Sequence, residues 1–473
     1  MGIFTNIIQN LPEVRGPTES KLGFKQKLKW TLIMLVLFFI LGLIPLFGLG
    51  NNALQQFEYL SIILGAEFGS IMSLGIGPLV TASIVLQLLN GSGLVKFDLS
   101  SHEGKRNFQG IQKLLSIFFI IFEAAIYVFM GGLSPGGYYN PATNEFLATA
   151  VTGAVALTPA MILTLKLFLI FQLFVGGIIV MLMDEVVSKY GFGSGISLFI
   201  AAGVAKSIMI RAFNPLRAPT DPTGYSSGAF FAFFQSISAG DSTTAFLMLA
   251  AIVATVVVFA VAVFVQAMKV EIPLSFGMVR GHGVRWPLSF IYTSNIPVIL
   301  VAALLANVQL WTRLFGGVSA AQAVQPWITG PNLIGELIKQ GLFGVSWIIW
   351  VQALVYITIL ITGAVIFSLF WVQTSGMDAR SQAKQMMASG LQIPGFRKDQ
   401  RILEKILERY IMPLTVMGAI TVGFLAAMAD ISGALGNGTG ILLTVMIVYK
   451  LYEDIAKQHM YDMNPMMKKF MGK

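Results

Sequence analysis

Cysteine is absent from this chain, histidine occurs three times in 473 residues, and charged residues make up only 11%. The first absence removes any disulfide framework, thiolate metal site or cysteine nucleophile. The three histidines, His102, His282 and His459, fall outside the apolar runs and show no HExxH or similar spacing, so no histidine metal or catalytic site is expected. No GxxxxGK[ST] pattern occurs either, so the glycine-rich stretch 436–440 reads as a helix start rather than a phosphate loop. No nucleotide hydrolysis and no cofactor are expected. What fills the chain is apolar: 56% of residues are hydrophobic and the mean hydropathy is +0.77. A soluble domain of this length would then expose large apolar patches, which identifies an integral membrane protein.

Apolar windows place spans near 30–49, 58–90, 111–132, 157–183, 194–213, 244–268, 288–311, 345–373, 411–431 and 435–453. The segment before them, 1–29, is polar and basic and is expected to remain as a cytoplasmic N-terminal segment rather than be cleaved. Cytoplasmic loops collect Lys and Arg. With ten spans and the N-terminus inside, the cytoplasmic stretches hold 25 of the 31 basic residues. Both ends, including a tail at 456–473, are therefore expected in the cytoplasm.

The span at 58–90 is two apolar pieces, Leu60 to Ser73 and Leu79 to Leu89, separated by Gly75-Ile76-Gly77-Pro78. Neither piece reaches the roughly 20 residues a crossing helix needs. Broken helices are tolerated in a bilayer where the backbone lines a cavity or is buried in protein, so the break points to a functional interior. The polar stretch 214–243, with Pro215, Pro219 and Pro222, separates a first half, 30–213, from a second, 244–455. Five spans per half is an odd number, so a repeat relating the halves must be inverted. Gly193-Ser194-Gly195-Ile196 opening span five echoes Gly436-Asn437-Gly438-Thr439-Gly440-Ile441 opening span ten. Gly77-Pro78-Leu79-Val80 in span two likewise echoes Ile296-Pro297-Val298-Ile299 in span seven.

Ionisable residues inside the spans are few, and Glu67, Glu123, Lys166 and Lys206 are the plausible ones. An ion-coupled secondary transporter with inverted five-helix repeats shares the broken helices but is expected to offer polar ligands at its midplane. An intramembrane hydrolase needs a buried Ser with His, or paired Asp residues, and no such constellation is visible.

Four ordered segments carry a resemblance. They are Gly75-Ile-Gly-Pro-Leu-Val-Thr-Ala-Ser-Ile-Val-Leu-Gln-Leu-Leu89, Asp184-Glu-Val-Val-Ser-Lys-Tyr-Gly-Phe-Gly-Ser-Gly-Ile-Ser-Leu-Phe-Ile200, Tyr292-Thr-Ser-Asn-Ile-Pro-Val-Ile299 and Gly436-Asn-Gly-Thr-Gly-Ile-Leu-Leu-Thr-Val445. Together they resemble the signature segments of the SecY protein-translocation channel family in its archaeal form, over about Lys21 to Glu453. The resemblance implies an all-α membrane protein of ten transmembrane helices, in two inverted five-helix halves around a central pore. It implies no enzyme, but a subunit that passes unfolded polypeptide across the cell membrane and releases apolar segments sideways into lipid.

On individual residues, the resemblance implies a plug near 60–73, with Leu60, Ile63, Leu64, Phe68 and Ile71, and a pore ring of Ile76, Val80, Ile196, Ile200, Ile299 and Leu443. Without it these six would be ordinary membrane-helix residues. Bulky flexible apolar side chains can close around a chain of any sequence while disfavouring water and ions. A lateral gate is implied between spans two and three and spans seven and eight, where Thr81, Glu123 and Asn295 are expected to form a hydrogen-bonded cluster. The cytoplasmic loops 269–287 and 374–410 are expected to dock a ribosome through Lys269, Arg280, Arg285, Arg397, Lys398 and Arg401. Positive-inside bias alone would also enrich them. Further implied partners are a SecE-like small subunit, a second small subunit, nascent secretory and membrane polypeptides, and membrane lipid. Lys206, Arg211 and the outer loops 132–150, 214–243 and 313–344 match no role.

Overall fold

The computed structural model describes residues 12–17, 22–52, 67–91, 94–95, 97, 102–141, 145–147, 155–217, 224–276, 283–293, 296–314, 325–341, 344–388, 391–392, 400–436 and 438–463. The first half is built on helices α1 (Phe24–Gly42), α2 (Gly77–Gly91), α3 (His102–Phe129), α4 (Pro159–Tyr190) and α5 (Gly195–Phe213). Strand β1 (Leu49–Asn52) follows α1 and pairs with β2 (Leu133–Pro135) after α3. Strands β3 (Tyr138–Asn140), β4 (Glu145–Leu147) and β5 (Val155–Ala156) form a small sheet before α4. The short helix α6 (Ala229–Ala239) lies within the stretch that separates the halves.

The second half holds α7 (Ser242–Ala267), the hairpin β6 (Lys269–Phe276) and β7 (Gly283–Ser289), α8 (Ile296–Leu314), α9 (Leu333–Gln340) and α10 (Trp347–Thr374). It continues with α11 (Ala379–Ala388), β8 (Leu391–Gln392), α12 (Gln400–Ile431) and α13 (Gly438–Met463). Among the described residues six helices are long and apolar enough to cross a membrane, and α2 and α8 contain shorter apolar segments, Gly77–Asn90 and Pro297–Gln309. Helices α1 and α13 carry charges along their length, Lys25, Lys27 and Lys29 in one and Lys450, Glu453 and Asp454 in the other.

Proline and glycine set the starts of the short spans. Pro78, Pro159 and Pro297 each lie in the first turn of a helix, where the missing N–H would have had no intrahelical partner. Just before α2 the chain turns at Gly75 with φ +54°, a conformation that L side chains rarely adopt. This turn is the physical break anticipated between the two apolar pieces of span two.

The two loops expected on the cytoplasmic side, read separately in the sequence, meet in one sheet through their described residues. Strands β6 and β7 pair antiparallel from Lys269↔Ser289 to Ser275↔Gly283, and β8 from the second loop joins the far edge at Ser275↔Gln392. Beneath them, Ile272, Leu288, Tyr292, Met386, Leu403 and Leu407 bury a separate apolar cluster against α11 and α12. Among the described residues of 374–410 most lie in α11, β8 and α12, and α12 begins at Gln400 rather than at the span boundary expected near 411.

In the membrane region α2 is the meeting point. It packs on α3 of its own half and on α8 and α10 of the other. One large apolar cluster runs through both halves, from Met34 and Phe38 on α1 through Val80 and Ile200 to Tyr356 on α10 and Leu443 on α13. The flank of α7 remains outside it, with Val253, Val256, Phe259 and Phe264 exposed.

Candidate functional site

The segment leading into α2 is pinned by its own side chains. Ser70 Oγ donates to the Glu67 carbonyl at 2.6 Å, Ser73 Oγ donates to the Ser70 carbonyl at 2.5 Å, and the Gly69 amide donates to Ser73 Oγ at 2.9 Å. The Leu46 amide donates to the Gly69 carbonyl at 2.9 Å and the Ile71 amide to the Ile44 carbonyl at 3.0 Å, which ties the turn to the end of α1. Phe68 and Ile71 rest against a second apolar cluster built from Leu79, Ile120, Tyr127, Leu173 and Ala306. Leu60, Ile63 and Leu64 lie outside the described residues. Glu67, at the start of this turn, forms an ion pair with Lys206 on α5, which gives a partner to a lysine that the sequence left without one.

Ile76, Val80, Ile200, Ile299 and Leu443 are buried and share the large central cluster, and Ile196 packs against it half-buried. They come from α2 and the turn before it, α5, α8 and α13, so both halves contribute. A cavity of about 380 Å³ touches this group: Val80, Ile196 and Ile299 line it together with Ser83, Gln112 and Asp184. Its lining is mainly apolar, with hydroxyl, amide and carboxyl groups interspersed.

Beside it runs a polar seam. Thr81 Oγ1 lies 2.9 Å from the Gly77 carbonyl and 3.0 Å from Glu123 Oε1, and it accepts from Asn307 Nδ2 at 3.1 Å. Three helices, α2, α3 and α8, therefore meet through one hydroxyl. Glu123 is only 5% exposed, and its Oε2 and the hydroxyl of Tyr127 one turn away have no hydrogen-bond partner among the described residues. A second contact joins α2 to α3 where Gln112 Nε2 donates to Ser83 Oγ at 3.1 Å. A third joins the turn that precedes α8 to α10, with the Thr293 and Ser368 hydroxyls 3.2 Å apart.

Thr81 and Glu123 thus come together, whereas Asn295 lies outside the described residues. The amide that reaches Thr81 is Asn307, which the sequence reading passed over. Its signal was an amide eight residues past Ile299, two turns along one helical face, inside an apolar run.

Of the basic positions, Lys269 is paired with Glu453 on α13 at 3.2 Å. Arg285 sits opposite Pro273 in the hairpin, and Arg401 lies exposed in the first turn of α12. Arg280, Arg397 and Lys398 lie outside the described residues. Lys166, one of the few ionisable residues in the spans, stands 5.6 Å over the Phe129 ring, which gives it an aromatic partner. No group of three or more His, Cys, Asp and Glu side chains placed to hold a metal ion occurs among the described residues.

Two family patterns match the chain, SecY over residues 70–452 and the plug domain of Sec61p over residues 36–69. The protein translocase subunit SecY of Methanothermobacter thermautotrophicus is 43% identical over 484 aligned positions, covering 99% of this chain and 98% of that one. A solved protein-conducting channel superposes with a TM-score of 0.77 at 37% identity, covering 98% of each chain. The Sec61 of a canine ribosome-channel complex from the endoplasmic reticulum superposes with a TM-score of 0.74 at 37% identity, again covering 98% of both. The ten-helix architecture with a broken, plug-bearing second span agrees with these relatives, and the chain belongs to the SecY family.

Proposed function

We infer that this chain is the pore-forming subunit of a protein-conducting channel, passing unfolded polypeptide through the apolar constriction and releasing membrane segments sideways between α2–α3 and α8–α10. It is a multi-pass membrane protein with no enzymatic role. The observation that carries this is the buried apolar group contributed by both halves, three of whose members line a cavity between them. An apolar constriction of flexible side chains fits a substrate of varied sequence and gives no ligand set for an ion or small solute. That argues against the secondary transporter. The six residues Ile76, Val80, Ile196, Ile200, Ile299 and Leu443 act as the seal, and the segment around Phe68 and Ile71 as the base of the plug.

The seam of Thr81, Glu123 and Asn307 acts as the closure of the lateral gate. Hydrogen bonds between membrane helices average about 0.6 kcal/mol, with a maximum near 1.7 kcal/mol. A seam of this kind holds the gate shut yet yields to an apolar segment that gains more by entering lipid. Asn295 belongs to the same proposed gate, near the start of α8.

The segment boundaries carry over: halves at 30–213 and 244–455, a linker at 214–243, and terminal segments 1–29 and 456–473 on the cytoplasmic side of the plasma membrane. The joined hairpin and second loop would dock the ribosome, with Arg280, Arg285, Arg397, Lys398 and Arg401 meeting phosphate and Lys269 contributing once released from Glu453. A single-span SecE-like subunit is placed by this reading along the outer face shared by α5, α7 and α13, where Ile208, Val256, Phe259, Ile441 and Val445 line a mainly apolar cavity of about 580 Å³. A second small subunit completes the expected assembly.

The test is transport itself. Vesicles carrying the complex purified from native membranes should protect a secretory precursor from external protease while taking up no small solute against a gradient. Solute uptake without precursor protection would contradict the channel reading.

A further inference from the structure

Each half closes on the same arrangement. Helix α5 starts at Gly195, and Ser194 in the cap position makes no side-chain bond to it. The acceptor comes instead from α4, where Asp184 Oδ1 takes the Ile196 amide at 2.9 Å. In the second half Asp430 Oδ1 on α12 takes the Thr439 amide of α13, also at 2.9 Å. Its Oδ2 receives the Thr439 hydroxyl and, at 2.7 Å, the Tyr356 hydroxyl of α10. Ile196 and Thr439 are each the second residue of their helix. Four residues past each capped amide, one turn on, stand Ile200 and Leu443.

The first amides of a helix have no intrahelical acceptor, and a carboxylate placed there also meets the positive end of the helix dipole. A carboxylate from a neighbouring span does something a local cap cannot: it fixes one helix against another. A slip of one residue would rotate a helix by about 100° and shift it about 1.5 Å, enough to carry a side chain off the constriction. The approach is close in the first half, since a Cβ on Gly195 would lie 2.6 Å from Asp184 Cα and 2.9 Å from its Oδ1.

We propose that Asp184 and Asp430 are positioning residues of the constriction, each setting the height and rotation of its half's fifth span and thereby placing Ile196 and Ile200 on one side and Leu443 on the other. The proposal rests on the reading of these residues as the seal. It predicts that losing either carboxylate opens the resting seal while the chain still assembles.

The experiment measures resting anion leak from vesicles holding the full-length complex. Asp184→Ala and Asp430→Ala should each raise the leak roughly five- to tenfold, the population change that loss of one cap produces. Asp184→Asn keeps a side-chain oxygen and should stay within about twofold of the parent, as should Ser194→Ala. Rescue by asparagine shows that an oxygen acceptor rather than a charge is needed, and Asp184→Leu, which fills the volume without an acceptor, should leak like the alanine variant. Alanine variants that seal like the parent would overturn the proposal. Should an alanine variant not assemble, Asp184→Asn is compared with Asp184→Glu, whose longer side chain misplaces the acceptor; equal leak from both would overturn it. In parallel, a nascent chain is crosslinked to Ile299→Cys in the otherwise parental protein. If that contact is absent, the reading of the seal fails; if it is present and the alanine variants stay tight, only the role of the caps fails.

Discussion

The proposed constriction and the polar seam meet on α2 at the adjacent residues Val80 and Thr81, and in the proposed roles they rely on opposite chemistry. The constriction is made of the commonest membrane residues, and its action depends on shape and on the absence of polar atoms. The seam is made of rare ones, and single atoms carry it: one hydroxyl of Thr81 receives α8 and faces α3. An apolar seal therefore tolerates changes of side chain that preserve volume, whereas a polar closure is sensitive to the removal of one donor.

Breaking this contrast most severely means putting charge into the seal. Ile200→Arg places a guanidinium where the side chain is 1% exposed. A central charge costs about 2.5–3.5 kcal/mol on insertion scales and brings water with it. Resting ion leak in vesicles should rise by more than about tenfold. A tight Ile200→Arg channel would remove the seal from this site.

The next effect belongs to the seam. Asn307→Leu should lower the hydrophobicity needed for a segment to leave into lipid, by the ~0.6–1.7 kcal/mol of a membrane hydrogen bond. A series of graded signal segments checks this. A double-mutant cycle with Thr81→Val should show coupling of similar size, and strictly additive effects would dissolve the seam into independent contacts.

Smaller again is the ion pair at the base of the plug. Glu67 and Lys206 are 43% and 38% exposed, so their attraction is screened and is expected to contribute only ~0.2–1 kcal/mol. Lys206→Glu should raise the resting leak by no more than about fivefold, and Glu67→Lys added to it should restore the parent value. Failure of the swap to restore would mean that the pair is incidental.

At the lower end, Ile299→Leu conserves volume, the best-tolerated kind of apolar change, and should leave leak and transport within about twofold of the parent, or ~0.4 kcal/mol. A large effect here would show that the seal depends on exact side-chain fit, and the contrast with the seam would collapse.

Much of this architecture was legible in the chain. Hydropathy marked the spans, the Gly75-Ile76-Gly77-Pro78 break marked the turn before α2, and the glycine-rich starts at 193–196 and 436–441 marked two helices that are capped alike. Boundaries were less visible where helices leave the membrane. Helix α3 begins at His102 and α12 at Gln400, because backbone hydrogen bonding continues past the point where side chains turn polar, and an apolar window ends there. Strand β8 joining the hairpin was not visible, since two residues carry no alternation to detect.

Asn307 and the Lys206–Glu67 pair were missed for a related reason. Their partners lie 226 and 139 residues away, and no local pattern encodes such a meeting. The constriction residues are the reverse case. Their identities are unremarkable, and it was their place in four ordered segments that singled them out.

The measurement that tests the central claim most directly uses the absence of cysteine. One cysteine is placed at Ile299, a control at the exposed Met417 of α12, and a third in an arrested secretory nascent chain. Disulfide formation at Ile299→Cys, with the Met417 control unlinked, is the result predicted for polypeptide passing through the constriction. An engaged nascent chain that never links to Ile299→Cys would contradict it.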